Sequence, residues 1–182
     1  MALRKAGAYS KRYTRPYTRK SKVQSKAYIK AVPPSKVVKF KMGDIVGFDN
    51  GKYPIVIHVI AKEAVQMRDN SIEAVRQYLN RFLVEKIGKE FYLEVKVYPH
   101  HIQRENKMLT GAGADRMQTG MSQSFGRTVG RAALVKAKQT IFIVGVKDAK
   151  QEAIARDLIR ATKARMPCQI STQTVPVKKK VA

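Results

Sequence analysis

The apolar and polar positions divide the chain into an apolar-poor start, a periodic middle and a short polar end. Residues 1–41 hold too few apolar side chains to build a core of their own. From Met42 the pattern becomes regular. The span 44–48 predicts a short strand, followed by the turn signal Asp49-Asn50-Gly51. The nearly continuous run Ile55, Val56, Ile57, Val59 and Ile60 predicts a buried strand over 53–61. Helical spacing of Ile72, Val75, Leu79, Phe82, Leu83 and Ile87 predicts a helix over 70–87. Asn70 and Glu73 sit at capping-box spacing, and Gly88 is a suitable stop. Over 91–98, Phe91, Leu93, Val95 and Val97 alternate with Tyr92, Glu94, Lys96 and Tyr98, as in a half-buried strand. Two more strands are expected over 128–135 and 139–146, joined near Lys136-Ala137-Lys138. A second helix follows, capped by Asp148 and Gln151, with Ile154, Leu158, Ile159 and Met166 on its apolar face and Pro167 at its end. Cys168, Ile170, Thr172 and Thr174 then alternate in a last strand.

Between the strand patterns lies a gap, 99–131, through whose middle neither period runs. It contains Gly111, Gly113, Gly120, Gly126 and Gly130, with Met108, Met117 and Met121 among them. A loop of this length inside a compact domain is uncommon and usually functional or disordered. The strand–helix–strand pattern on either side of it predicts an α+β fold, a two-layer sandwich of two helices on one mixed β-sheet. The expected organisation is a basic arm, 1–41, a single globular domain, 42–176, holding the long internal loop 99–131, and a basic tail, 177–182.

Charge gives this architecture a partner. The net charge is +24, and the thirteen Lys and Arg of residues 1–41 meet no acid before Asp44. Such a balance selects a polyanion, nucleic acid before membrane. No run approaches the ~18 apolar residues of a membrane span. Tyr9, Tyr13, Tyr17 and Tyr28 interleave the arm's cations, so rings can stack on unpaired bases while cations hold phosphates. The arm's candidate RNA contacts are Arg4, Lys5, Lys11, Arg12, Tyr13, Arg15, Tyr17, Arg19, Lys20 and Lys22. In the loop, Arg104, Lys107, Arg116, Arg127 and Arg131 outnumber Glu105 and Asp115, so its natural partner is also anionic.

Catalytic signatures do not survive inspection. The stretch 111–116, GAGADR, places Arg116 where a dinucleotide fingerprint needs its third glycine. The 126–130 stretch lacks the Lys-Ser/Thr of a nucleotide-binding loop. His100 and His101 are adjacent, and adjacent side chains on extended backbone point opposite ways, a poor metal pair. His58 has no ligand companions at metal spacing and is expected to pack. Cys168 stands alone, so no disulfide framework or cysteine zinc site is possible within the chain. No enzyme, cofactor or metal is expected. Two rival readings are an RNA-acting enzyme with its site in 99–131 and a general basic protein that compacts nucleic acid.

The arm sequence LRKAGAYSKRYTRPYTR and, above all, the loop sequence NKMLTGAGADRMQTGMSQSFGR resemble a known family. This is the universal large-subunit ribosomal protein family called L-sixteen in bacteria and L-ten-e in archaea and eukaryotes. The archaeal form is the nearer match, since the longer C-terminal extension of eukaryotic members is absent. The resemblance implies an α+β domain with a hammerhead-type β motif, no catalysis, and residence on cytoplasmic ribosomes. It implies binding to large-subunit rRNA beside neighbouring ribosomal proteins. It also implies a loop that points towards the peptidyl transferase centre and the tRNA acceptor end, near the aminoacyl and peptidyl sites. Carried onto this chain, the loop contacts are Arg104, Asn106, Lys107, Gly111, Gly113, Arg116, Gln118 and Arg127. Arg4, Lys5, Arg12, Arg15, Tyr17 and Arg19 match the family's RNA-embedded N-terminus.

Overall fold

A computed structural model of the protein describes residues 4–11, 23, 25, 29, 31–105 and 126–176. Its strands are β1 (Lys41–Gly43), β2 (Ile55–Ala61), β3 (Val65–Arg68), β4 (Tyr92–Val95), β5 (His101–Glu105), β6 (Arg127–Val135), β7 (Thr140–Val146) and β8 (Ile170–Pro176). Its helices are α1 (Ile45–Asp49), α2 (Asp69–Ile87) and α3 (Ala149–Ala161), the last followed by a 3-10 turn, Thr162–Arg165. The fold is α+β, but the expected single mixed sheet is two sheets. One has five strands in the order β1-β4-β7-β2-β8 and the other has three in the order β3-β6-β5. Every described strand pair is antiparallel. The strands β6 and β7 follow each other in sequence yet lie in different sheets; the chain crosses between them at Lys138, whose φ is 65°.

One apolar core joins both sheets to the two long helices. Ile57 and Val59 of β2, Leu93 of β4 and Phe142 and Val144 of β7 meet Met67 of β3 and Val135 of β6. Ile72, Val75, Leu79 and Leu83 of α2, with Leu158 and Ile159 of α3, close over them. These α2 positions are the helical stripe read from the sequence, and Gly88 ends the helix at φ 84°. The back face of the larger sheet carries a second cluster, Tyr53, Val56, Tyr92 and Ile143, packed against Phe48 of α1.

Several expectations are corrected. The span 44–48 is not a strand. Asp44 accepts a hydrogen bond from the Gly47 amide at 2.8 Å and starts a one-turn helix, while the strand lies just before it. Tyr92, expected on a solvated face, is 1% exposed because α1 covers that face. Its ring stacks on Phe48 at 3.8 Å between centroids. The box between Asn70 and Glu73 does not form. Instead α2 begins at Asp69, which accepts from the Asn70 and Lys36 amides, and Glu73 is drawn to Arg76 and Gln77. Asp148 makes no side-chain cap either; Gln151 accepts from the Lys147 amide at 3.0 Å. Met166 lies beyond α3, after the 3-10 turn. The sequence pattern does not predict β3, and 99–131 is not a loop throughout. Its two ends are β5 and the start of β6, paired with each other from His101↔Ala132 to Glu105↔Arg127.

Candidate nucleic-acid interface

The three-stranded sheet is the root of both basic stretches. On β3, Gln66 and Arg68 alternate with the core residues Val65 and Met67, so they occupy the opposite face. Both are polar and both are buried, at 4% exposure each. Residues of the N-terminal arm bury them. The Arg68 Nη2 donates to the carbonyls of Arg4 at 2.7 Å and Lys5 at 2.8 Å. The Gln66 Nε2 donates to the Tyr9 carbonyl at 3.0 Å, and the Gln66 amide donates to the Ser10 carbonyl at 2.8 Å. Because the backbone carbonyls are turned inward, the side chains of Arg4, Lys5 and Lys11 stand exposed at the surface. The Arg4 guanidinium lies over the Tyr9 ring, 5.1 Å from its centroid.

The arm is fastened again further along. Arg131 on β6 donates through Nε to the Pro33 carbonyl at 2.7 Å, and Thr128 donates to the Ala31 carbonyl at 2.8 Å. The Lys36 amide then reaches Asp69 at the start of α2. The strands β5 and β6, which open and close the loop, belong to this same sheet. Glu105 and Arg127 are register partners, so the chain leaves and re-enters the sheet at one place. Arg104 lies beside Thr128 on the neighbouring strand. Arg12, Tyr13, Arg15, Tyr17, Arg19, Lys20 and Lys22 of the arm lie outside the described residues, as do Asn106, Lys107, Gly111, Gly113, Arg116 and Gln118 of the loop.

Electrostatics favour an anionic partner here. Asp44, Glu73, Glu90, Glu94, Glu152 and Asp157 are each held in an ion pair within the globular part. The Arg76 guanidinium holds the Glu73 carboxyl below its usual range, and both side chains of the pair are largely buried. The imidazole of His101, buried between the strands, is pushed towards neutrality first by burial and then by the charge of Arg104. His58 is half-buried and shifts the same way, from burial and the charge of Lys96. Burial pushes the Cys168 thiol up to about 11, which makes it a poor nucleophile. Among the described residues no group of His, Cys, Asp and Glu is placed to hold a metal ion, and no helix is long and apolar enough to cross a membrane.

Comparison with known proteins names the family. The family model described as ribosomal protein L16p/L10e matches residues 13–173. The chain belongs to the L16p/L10e family. It is 42% identical to the large ribosomal subunit protein uL16 of Thermofilum pendens, over 92% of this chain and 94% of the relative. Against the protein of the same name in Hyperthermus butylicus it is 38% identical, over 98% and 96%. Against that of Archaeoglobus fulgidus it is 40% identical, over 90% and 88%. It is thus a ribosomal protein of archaeal type, a structural component and not an enzyme. For an L16p/L10e member, the anchoring of the arm is the part that sequence reading missed. Gln66 and Arg68 signal it only in retrospect, as polar residues alternating with Val65 and Met67 in a strand too short to announce itself.

Proposed function

We propose that this protein is a structural part of the large ribosomal subunit, where its arm and loop bind large-subunit rRNA and its loop helps to position the acceptor end of tRNA near the peptidyl transferase centre. The observation that carries the reading is the common root of the two basic stretches. Arg4, Lys5, Tyr9, Ala31 and Pro33 of the arm and both ends of the loop are fastened to the sheet β3-β6-β5. A basic arm and a basic loop rising from one sheet form one electrostatic footprint for one polyanion. The arm supplies phosphate contacts through Arg4, Lys5, Lys11, Arg12, Arg15, Arg19, Lys20 and Lys22, with Tyr13 and Tyr17 stacking on bases or sugars.

The loop's part is positioning. Half of 106–126, fully stretched at roughly 3.3 Å per residue, would reach on the order of 30 Å from the sheet. Gly111 and Gly113 let backbone approach RNA closely, while Lys107, Arg116 and Arg127 hold phosphate. Asn106 and Gln118 add neutral hydrogen bonds. Small misplacements of a reacting group are costly to rate, so modest binding energy suffices for the task. The relatives' shared description as large-subunit proteins supports the assembly. Neighbouring ribosomal proteins are further expected partners.

The test is sedimentation. Tagged full-length protein expressed in an archaeal host should travel with the large subunit, persist through moderate salt and be released by ribonuclease. Tagged protein that stays at the top of the gradient, or that travels with DNA, would overturn the assignment.

A further inference from the structure

Beside the root of the loop, an open cleft of about 360 Å³ lies between the chain leading from β4 to β5 and the turn from β6 to β7. Lys96, Tyr98, His100, His101, Leu134 and Gln139 line it. Its aromatic side continues a row of rings. Phe40 stacks on Tyr98 at 5.3 Å between centroids with planes 23° apart, and Tyr98 meets His100 at 4.5 Å. The row ends in solvent: Tyr98 is 43% exposed and His100 is exposed too. Lys136 and Lys138 on the adjoining turn are exposed cations, while Lys96 in the wall is paired with Glu94 at 2.9 Å. His101 in the wall is only 8% exposed, and its Nδ1 has no hydrogen-bond partner among the described residues.

We infer that this cleft takes one unpaired RNA base, stacked on the exposed Tyr98–His100 rings, with the adjacent phosphate held by the turn lysines, Lys136 and Lys138. The inference rests on the RNA-binding reading above and adds to it a base-stacking site apart from the arm and the loop. Three features converge on it. A cleft of this size suits a small planar group. Aromatic rings accept any base face, so the row needs no sequence match. The cations on the rim complement a phosphate and leave a neutral apolar ligand unexplained. A base within a duplex is excluded, because its faces are already stacked and its phosphates hold it away from the rings.

Ultraviolet crosslinking of the full chain to a ten-nucleotide uridine RNA tests this. Cleavage after Lys96 and Arg104 isolates residues 97–104, which carry Tyr98, His100 and His101. A uridine adduct should appear on that peptide with the single strand and be absent with an RNA duplex of equal length. His100→Leu and Tyr98→Leu should each lower the adduct roughly tenfold, given the usual worth of one stacked base. His100→Phe and Tyr98→Phe, which keep the rings, should retain it. Adducts on arm peptides serve as the internal reference for folded, RNA-competent protein. If arm peptides crosslink and 97–104 does not, or if the leucine variants crosslink as well as the parent, the cleft is not a base site and the RNA-binding reading stands. If no peptide crosslinks, the RNA-binding reading itself fails.

Discussion

Gly43 and Gly145 show how little freedom single positions have around α1. Gly43 ends β1 at φ 85°, and a Cβ there would overlap the Phe91 carbonyl oxygen. Neither the backbone angle nor the backbone neighbour can yield cheaply. Gly43→Ala should therefore destabilise the fold by at least about 3 kcal/mol and lower the Tm by on the order of 10 °C, read by thermal unfolding. At Gly145 the obstacle is softer, since a Cβ would meet Phe48 and Tyr92 side-chain atoms at 3.2 Å. That substitution should cost about 1–3 kcal/mol, the usual range for overpacking. Titration adds a third expectation. Burial holds the Cys168 thiol up to about 11 and the Tyr53 phenol up to about 12, and raises Tyr92 as well. All three favour the neutral form more strongly when folded than when unfolded. The stability they contribute is complete below the unfolded thiol value of 9.0 and is lost as the pH rises through the folded values. Urea unfolding between pH 8 and pH 11 should show that decline, and Tyr53→Phe should make it shallower. A stability that stays flat to pH 11 would contradict the burial argument.

The elements differ in how far local pattern decides them. The helix α2 is legible because an apolar stripe runs along most of its 19 residues and Gly88 stops it at positive φ. Its start is not legible. The Asn70–Glu73 spacing suits a capping box, but Asp69 answers to the amide of Lys36, a residue of the arm, and Arg76 claims Glu73. The helix α1 hides inside a Val-Gly-Phe sequence that suits a strand; the Asp44 side chain decides otherwise. The strand β3 is the plainest case. Arg68 and Gln66 look like solvent-facing residues, and only the arm folded back over them makes that face buried. Within the site, the sequence shows which stretches are basic and not that they share a root, because that depends on pairing β3, β6 and β5 across long separations. The arm's anchorage can be tested separately from its RNA contacts. Arg68 Nε and Nη1 have no partner among the described residues, so Arg68→Met sacrifices mainly the two carbonyl contacts. Hydrogen exchange of the Gln66 amide, which donates to Ser10, should quicken by roughly tenfold or more, while amides between β5 and β6 keep their rates. Equal exchange in both proteins would mean that Arg68 does not hold the arm.

At the scale of the whole molecule, charge and topology carry the account together. The +24 charge is uneven: residues 1–30 hold ten Lys and Arg without one acid. Deleting those residues should flatten the slope of log affinity for large-subunit rRNA against log salt, since each neutralised phosphate releases counterion. An unchanged slope would move the footprint onto the globular face. The task proposed for the loop is different, and the sheet permits a clean separation, because the chain leaves and returns beside the Glu105–Arg127 pair. Replacing residues 106–120 with a short Gly-Ser link leaves both strands and the arm's anchors intact. The decisive measurement is peptide-bond formation on purified large subunits carrying that variant, with occupancy checked by sedimentation. The account predicts normal entry into the subunit with slowed peptide transfer or weakened tRNA binding. Failure to enter the subunit would make the loop an assembly anchor, and normal entry with normal tRNA binding and transfer would contradict any role for it in placing tRNA.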